Sequence, residues 1–70
     1  MNDKLVSVVI PTYNRSKTLK RALDSVIIQD YRPIEIIIID DCSNDGTQDM
    51  LKNYNSGDVN IKYFYNKTNL

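Results

Sequence analysis

The segment Ile34-Glu35-Ile36-Ile37-Ile38-Ile39, closed by Asp40-Asp41, constrains this chain more than any other. Isoleucines in succession leave no polar face for water, so the run reads as a central strand covered on both sides rather than an alternating surface strand. A second apolar run, Leu5-Val6-Ser7-Val8-Val9-Ile10, stops at Pro11 and reads as another strand buried on both faces. Between the two, Leu19, Ala22, Leu23, Val26 and Ile27 follow the spacing of an amphipathic helix, with Ser16 as the expected N-cap and Pro33 beyond the helix end. Lys17, Lys20, Arg21 and Asp24 fall on the opposite face. Lys20 and Arg21 are each within reach of Asp24, which makes this a solvated charge group.

After the isoleucine run comes a polar turn, Asp40 to Gly46, in which Asp45 and Gln48 have the form of a capping box opening a second helix. Met50, Leu51 and Tyr54 form its expected buried stripe, and Asn55-Ser56-Gly57-Asp58 breaks it. Val59, Ile61, Tyr63 and Tyr65 then alternate with Asn60, Lys62 and Phe64 as a third strand, followed by a loop over 67–70. The order is β-α-β-α-β within one unit spanning 1–70. Strands joined through helices run parallel with right-handed crossovers, so the expected fold is α/β, half of a doubly wound parallel sheet of Rossmann-like type. Ligands of such sheets bind outside the carboxyl ends of the strands, here Pro11 to Arg15 and Asp40 to Asp45.

Composition narrows what those loops can serve. Nine Lys and Arg balance nine Asp and Glu, without a basic cluster, so nucleic acid is not an expected partner. With 70 residues, a chain hides only about 60% of the surface its unfolded form exposes, and any large pocket must be shallow or completed by something else. No apolar run reaches the roughly 20 residues of a membrane span, and Met1-Asn2-Asp3-Lys4 lacks the core of a signal peptide; the expected compartment is the cytoplasm. A lone Cys42 and the absence of His predict neither an internal disulfide nor a zinc site.

No glycine-rich phosphate loop follows the first strand, which argues against a dinucleotide enzyme or P-loop NTPase. The first loop offers Tyr13 and Asn14, the second Asp40 and Asp41. Successive strand residues face opposite ways, so these two acids diverge and only one should face the crevice. A carboxylate beside an aromatic ring suits a flat base carrying an N–H: uracil or guanine satisfies it, cytosine does not. A diphosphate would be repelled by the acids unless a divalent cation intervened. Asp45 is as well explained by capping a helix as by binding a ligand.

With these residues in place, a resemblance emerges. Val6 to Arg15, the helix from Leu19 to Gln29, and Ile36 to Thr47 are together similar to the opening of a family 2 glycosyltransferase of GT-A fold, and the likeness continues to about Asn66. The P-T-Y-N-R and D-D-x-S-x-D-G-T motifs carry it through their combination. Such enzymes transfer a sugar from a nucleotide diphosphate donor, commonly a UDP-sugar, to an acceptor hydroxyl with inversion. The resemblance implies a nucleotide-binding set of Pro11, Thr12, Tyr13, Asn14, Arg15, Asp40 and Asp41. Within it, Pro11 and Tyr13 line the nucleoside site, Asp41 accepts from the base, and Asn14 and Arg15 shape the loop. Asp40, Ser43, Asp45 and Gly46 hold the second turn, and Cys42 fills a variable position.

The resemblance further implies that the chain is the opening portion of a longer enzyme domain used in polysaccharide biosynthesis. The D-x-D ligands for Mn²⁺ or Mg²⁺ and the catalytic base are expected beyond residue 70, so no catalytic or metal-ligating residue is assigned here. These residues alone are expected to transfer no sugar. The expected partners are a nucleotide-sugar donor and a saccharide or lipid-linked acceptor, the latter placing the enzyme peripherally at a membrane.

Two other readings compete with this one. A free-standing regulatory module of receiver-like type would use acids at strand ends to bind Mg²⁺, although its acidic pair should follow the first strand. Alternatively the chain binds no ligand, and its open strand edges or an exposed sheet face lead to self-association.

Overall fold

A computed structural model describes residues 4–67. Five elements alternate as expected: β1 (Val6–Thr12), α1 (Ser16–Ile27), β2 (Ile34–Asp41), α2 (Thr47–Lys52) and β3 (Asn60–Asn66). The sheet has the order β1-β2-β3, and both pairings are parallel. Val8, Ile36 and Ile61 lie side by side across it, as do Thr12, Asp40 and Tyr65. Of the loop expected over 67–70, the part from residue 68 onward lies outside the described residues.

The core lies on one side of the sheet. Leu19 and Leu23 of α1 pack with Ile34, Ile36 and Ile38 of β2 and with Val59, and Met50 and Leu51 of α2 join them. A sheet that advances in one direction with crossovers of one hand places both helices on the same face. Tyr54 after α2 donates its hydroxyl to Asp24 of α1 at 2.6 Å, tying the two helical segments together.

This corrects the expectation of strands covered on both sides. Ile34, Ile36, Ile38 and Asp40 are buried, whereas Glu35, Ile37, Ile39 and Asp41 are only half-buried. On the same helix-free face, Val9 is 58% exposed and Phe64 52%. Part of that face is polar: the Ser7 hydroxyl donates to Glu35 at 2.5 Å, and Lys62 pairs with Glu35 at 3.2 Å. The Ser7 hydroxyl first, and then Lys62, hold the Glu35 carboxyl below its ordinary value of 4.5.

Several boundaries also move. Pro11 lies within β1 instead of ending it, which an edge strand allows because one flank of its backbone needs no ladder partner. Ser16 is the first helical residue of α1 and Arg15 the N-cap, with no side-chain cap of its own. The capping box at Asp45 and Gln48 does not form; Gly46, at φ 92°, is the N-cap of α2, a left-handed conformation that glycine adopts without a Cβ clash. Of the two cations expected at Asp24, Lys20 makes the contact, at 3.2 Å. Arg32 closes the end of α1 by donating to the carbonyls of Ile27 and Gln29 at 3.1 and 2.7 Å, and it pairs with Asp58 at 3.2 Å just before β3.

Candidate nucleotide site

β1 ends at Thr12, beside Asp40 and one residue short of the end of β2, so the two following loops begin as neighbours. Hydrogen bonds then join them. The backbone N–H of Asn14 donates to Ser43 Oγ at 2.7 Å, and Asn14 Oδ1 accepts from the N–H of Asn44 at 2.8 Å. Asp45 Oδ2 accepts from the N–H of Ser16 at 3.1 Å. The expected site loops are therefore one hydrogen-bonded unit.

Positive φ angles at Asn14 (48°) and Cys42 (55°) shape both turns. Asn tolerates this region through local hydrogen bonding, and its two bonds to the second loop hold it there. At Cys42 the reversal lets the N–H of Ser43 return to Asp40 Oδ1 at 3.0 Å. Cys42 is a free, half-buried thiol, in keeping with the role of small filler.

Asp40 and Asp41 diverge as strand alternation requires. Asp40 is on the helix-covered side with no exposed surface, and its second oxygen accepts from the Tyr63 hydroxyl at 2.5 Å. Expected among the nucleotide-binding residues, Asp40 faces the interior with its oxygens occupied, and it holds the turn. Burial first, and then the bond to Asp40, push the Tyr63 hydroxyl's pKa well above the ordinary tyrosine value. Asp41 stands on the helix-free side, and its Oδ1 is buried without a hydrogen-bond donor among the described residues.

Around Asp41 the other expected residues take distinct places. Pro11, Ile39 and Phe64 form a row across all three strands one step before it on the same face. Tyr13 directly follows β1 and is 46% exposed. Thr12 is buried, with 9% exposure. Arg15 is exposed, and its carbonyl accepts the first helical bond of α1 from Leu19 at 2.8 Å.

Sequence reasoning missed Tyr63 and Tyr65, whose hydroxyls reach Asp40 and, at 3.4 Å, the Ser43 carbonyl. The available signal was chemical: a tyrosine on the inward side of a strand needs a partner for its hydroxyl. A cleft of about 280 Å³ adjoins the second loop, lined by Ser43, Asn44, Gly46, Thr47, Asp49 and Tyr65 among others. A larger one, about 450 Å³, lies between α2 and β3 against Leu51, Val59, Ile61 and Tyr63, away from Tyr13 and Asp41. Among the described residues no group of three or more His, Cys, Asp or Glu side chains could hold a metal ion. No described helix is long and apolar enough to cross a membrane.

Comparison with known proteins adds lineage to this geometry. The chain is 42% identical over 62 residues to the GalNAc(5)-diNAcBac-PP-undecaprenol beta-1,3-glucosyltransferase of Campylobacter jejuni, covering 89% of this chain and 20% of that protein. It is 42% identical over 65 residues to the putative teichuronic acid biosynthesis glycosyltransferase TuaG of Bacillus subtilis, covering 93% and 26% of the two chains. To the putative colanic acid biosynthesis glycosyl transferase WcaA of Escherichia coli it is 41% identical over 70 residues, covering 97% and 24%. The chain thus spans about a fifth to a quarter of the length of these relatives. No solved structure matches it. The sequence model of glycosyl transferase family 2 matches residues 7–70, from the second residue of β1 through β3, and the chain belongs to that family.

Proposed function

We propose that this chain is the nucleotide-binding portion of a glycosyltransferase that moves a sugar, with inversion, from a nucleoside diphosphate sugar to an acceptor hydroxyl. The observation that carries the reading is Asp41, a half-buried carboxylate whose Oδ1 has no donor among the described residues, at the carboxyl end of the central strand and beside the Tyr13 loop. An ionised carboxylate can only accept, and leaving it unpaired in a buried place is costly. A bound base with a ring N–H would give this half-buried carboxylate a donor. The imide of uracil offers one such donor between two carbonyls, which favours a UDP-sugar. Tyr13 and Pro11 would supply the apolar contact for the ring. Asn14 and Arg15 shape this loop, and Asp40 and Thr12 support the site from the interior.

The residues present do not by themselves fit a divalent cation, since no group of three or more His, Cys, Asp or Glu side chains among those described could hold one. Mn²⁺ or Mg²⁺ at the donor diphosphate, and the base that deprotonates the acceptor, would have to be held by other residues of the enzyme. These 70 residues on their own would bind the nucleoside and transfer nothing. The relatives' names support an acceptor class: one is named for GalNAc(5)-diNAcBac-PP-undecaprenol, and two others are named as putative glycosyltransferases of teichuronic and colanic acid biosynthesis. By analogy with them, the acceptor proposed for this chain is a saccharide or lipid-linked saccharide, met at the cytoplasmic surface of a membrane and used for polysaccharide biosynthesis. Family membership displaces the receiver-like alternative.

The test is a titration of the ¹⁵N-labelled chain with UDP, followed by nuclear magnetic resonance and repeated with GDP and with the Asp41→Asn variant. UDP should shift the amides of Tyr13, Asn14, Asp41 and Cys42, and Asp41→Asn should weaken the response by at least about tenfold. Equal UDP affinity in the variant, or shifts confined to the cleft between α2 and β3, would reject the proposal.

A further inference from the structure

We infer that Tyr63 is a positioning residue for the nucleoside site: its phenol, acting through Asp40, Ser43 and Asn14, fixes the loop that carries Tyr13. The inference rests on the nucleotide reading above and assigns part of its specificity to a residue on β3, two strands away from the first loop.

The contacts form an unbroken series. The Tyr63 hydroxyl donates to Asp40 Oδ2, and Asp40 Oδ1 accepts the N–H of Ser43 at 3.0 Å. Ser43 Oγ accepts the N–H of Asn14 at 2.7 Å, and Asn14 Oδ1 accepts the N–H of Asn44 at 2.8 Å. The series begins on β3, crosses β2 and ends in the loop after β1. Asp40 and Ser43 are 0% and 5% exposed, so water has little access to replace a lost partner. A buried carboxylate must have its oxygens satisfied, and without the phenol Asp40 Oδ2 would lose the one donor it has among the described residues.

Geometry makes Tyr63 the right length for this role. On β3 it pairs with Ile38, one inward position before Asp40, and its ring spans the step along the strand. Tyr65, level with Asp40 itself, sends its hydroxyl past that carboxylate to the Ser43 carbonyl. The two phenols thus grip the same turn from one side, with ring centroids 6.4 Å apart. On the other side of the turn are two residues the nucleoside site needs in register. Asp41 is covalently next to Asp40, and Tyr13 is next to Asn14, whose φ of 48° is kept by its bonds to Ser43 and Asn44.

The decisive experiment compares the 70-residue chain with its Tyr63→Phe variant, which keeps the ring and removes the hydroxyl. Without nucleotide, amide exchange at Ser43 and Asn14 should accelerate by at least about tenfold while the amides of Leu19 and Leu23 keep their protection. UDP affinity should fall about threefold to tenfold. Ser43→Ala breaks the series at its third link without touching β3; it should give the same Asn14 signature, and its effect on affinity should not add to that of Tyr63→Phe. If Tyr63→Phe fails to fold, the Asn14 exchange and UDP affinity of Ser43→Ala decide the matter. Wild-type binding of UDP with unchanged affinity in both variants would overturn the positioning role alone. A wild-type chain indifferent to UDP would overturn the nucleoside reading and this role with it.

Discussion

Asp45 Oδ2 accepts a hydrogen bond from the backbone N–H of Ser16 at 3.1 Å, across the gap between the two loops that follow β1 and β2. Its other oxygen accepts from Thr47 Oγ at 2.5 Å and from the Thr47 N–H at 3.3 Å. One acid thus serves the first residue of both helices, since α1 begins at Ser16 and α2 at Thr47. Helix starts carry unpaired N–H groups and a positive partial charge, which a carboxylate answers on both counts.

That arrangement sets a pH dependence. The Thr47 hydroxyl is the main cause, with the Ser16 and Thr47 N–H groups assisting, that holds the Asp45 carboxyl below its ordinary value of 3.8. A carboxyl depressed by folding contributes stability that is complete above the unfolded value and lost as pH falls through the folded one. Stability should therefore decline as pH drops below 3.8, and Asp45→Asn should flatten the decline while lowering stability at neutral pH. Urea denaturation followed by circular dichroism over this range gives the answer; equal pH slopes in variant and wild type would refute the shared cap.

The one-sided core predicts unequal responses on the two faces of the sheet. Leu23 has no exposed surface and packs in the core cluster with Ile36 and Ile38, so Leu23→Ala should cost about 2–5 kcal/mol, enough to unfold most molecules of a small domain. Val9 is 58% exposed on the helix-free face, and Val9→Thr should change stability by no more than about 0.5 kcal/mol. Thermal or denaturant unfolding of both variants tests the contrast, which would disappear if the two faces were equally packed.

Arg32 gathers the carbonyls of Ile27, Gln29 and Tyr31, together with Asp58, from a side chain that is 31% exposed. Its planar fork makes these bonds at once, which a lysine ammonium cannot reproduce. Arg32→Ala should destabilise by about 1–2 kcal/mol, and Arg32→Lys should recover little of it. Full recovery by lysine in equilibrium unfolding would reduce the role of Arg32 to its charge.

For Asp41 the expectation runs opposite to that for most buried polar residues. Because its Oδ1 has no partner among the described residues, Asp41→Asn should leave the free chain as stable as wild type, within about 0.5 kcal/mol, or slightly more stable. Binding and stability then separate at one position, as functional sites do when they hold an unsatisfied group for a ligand. A large loss of stability in the absence of nucleotide, measured by denaturant unfolding, would mean that Asp41 serves the fold.

Local periodicity was enough to determine the order of elements, the apolar stripe of α1 at Leu19 and Leu23, and the parallel pairing, because these depend on repeats of two and 3.6 residues and on connections too long for hairpins. The same alternation showed that Asp40 and Asp41 must diverge. Which acid is buried depended on both helices occupying one face, a property of the assembled sheet. The caps lay equally beyond local reach: Ser16 and Asp45 look self-sufficient in the sequence, yet Ser16 is served by Asp45, whose partners are the Thr47 hydroxyl and backbone groups of both helix starts. Only the tertiary structure joined Tyr63 to Asp40 and Asn14 to Ser43, because a polar side chain is satisfied by whatever donor folding brings near, and sequence distance carries no record of that choice.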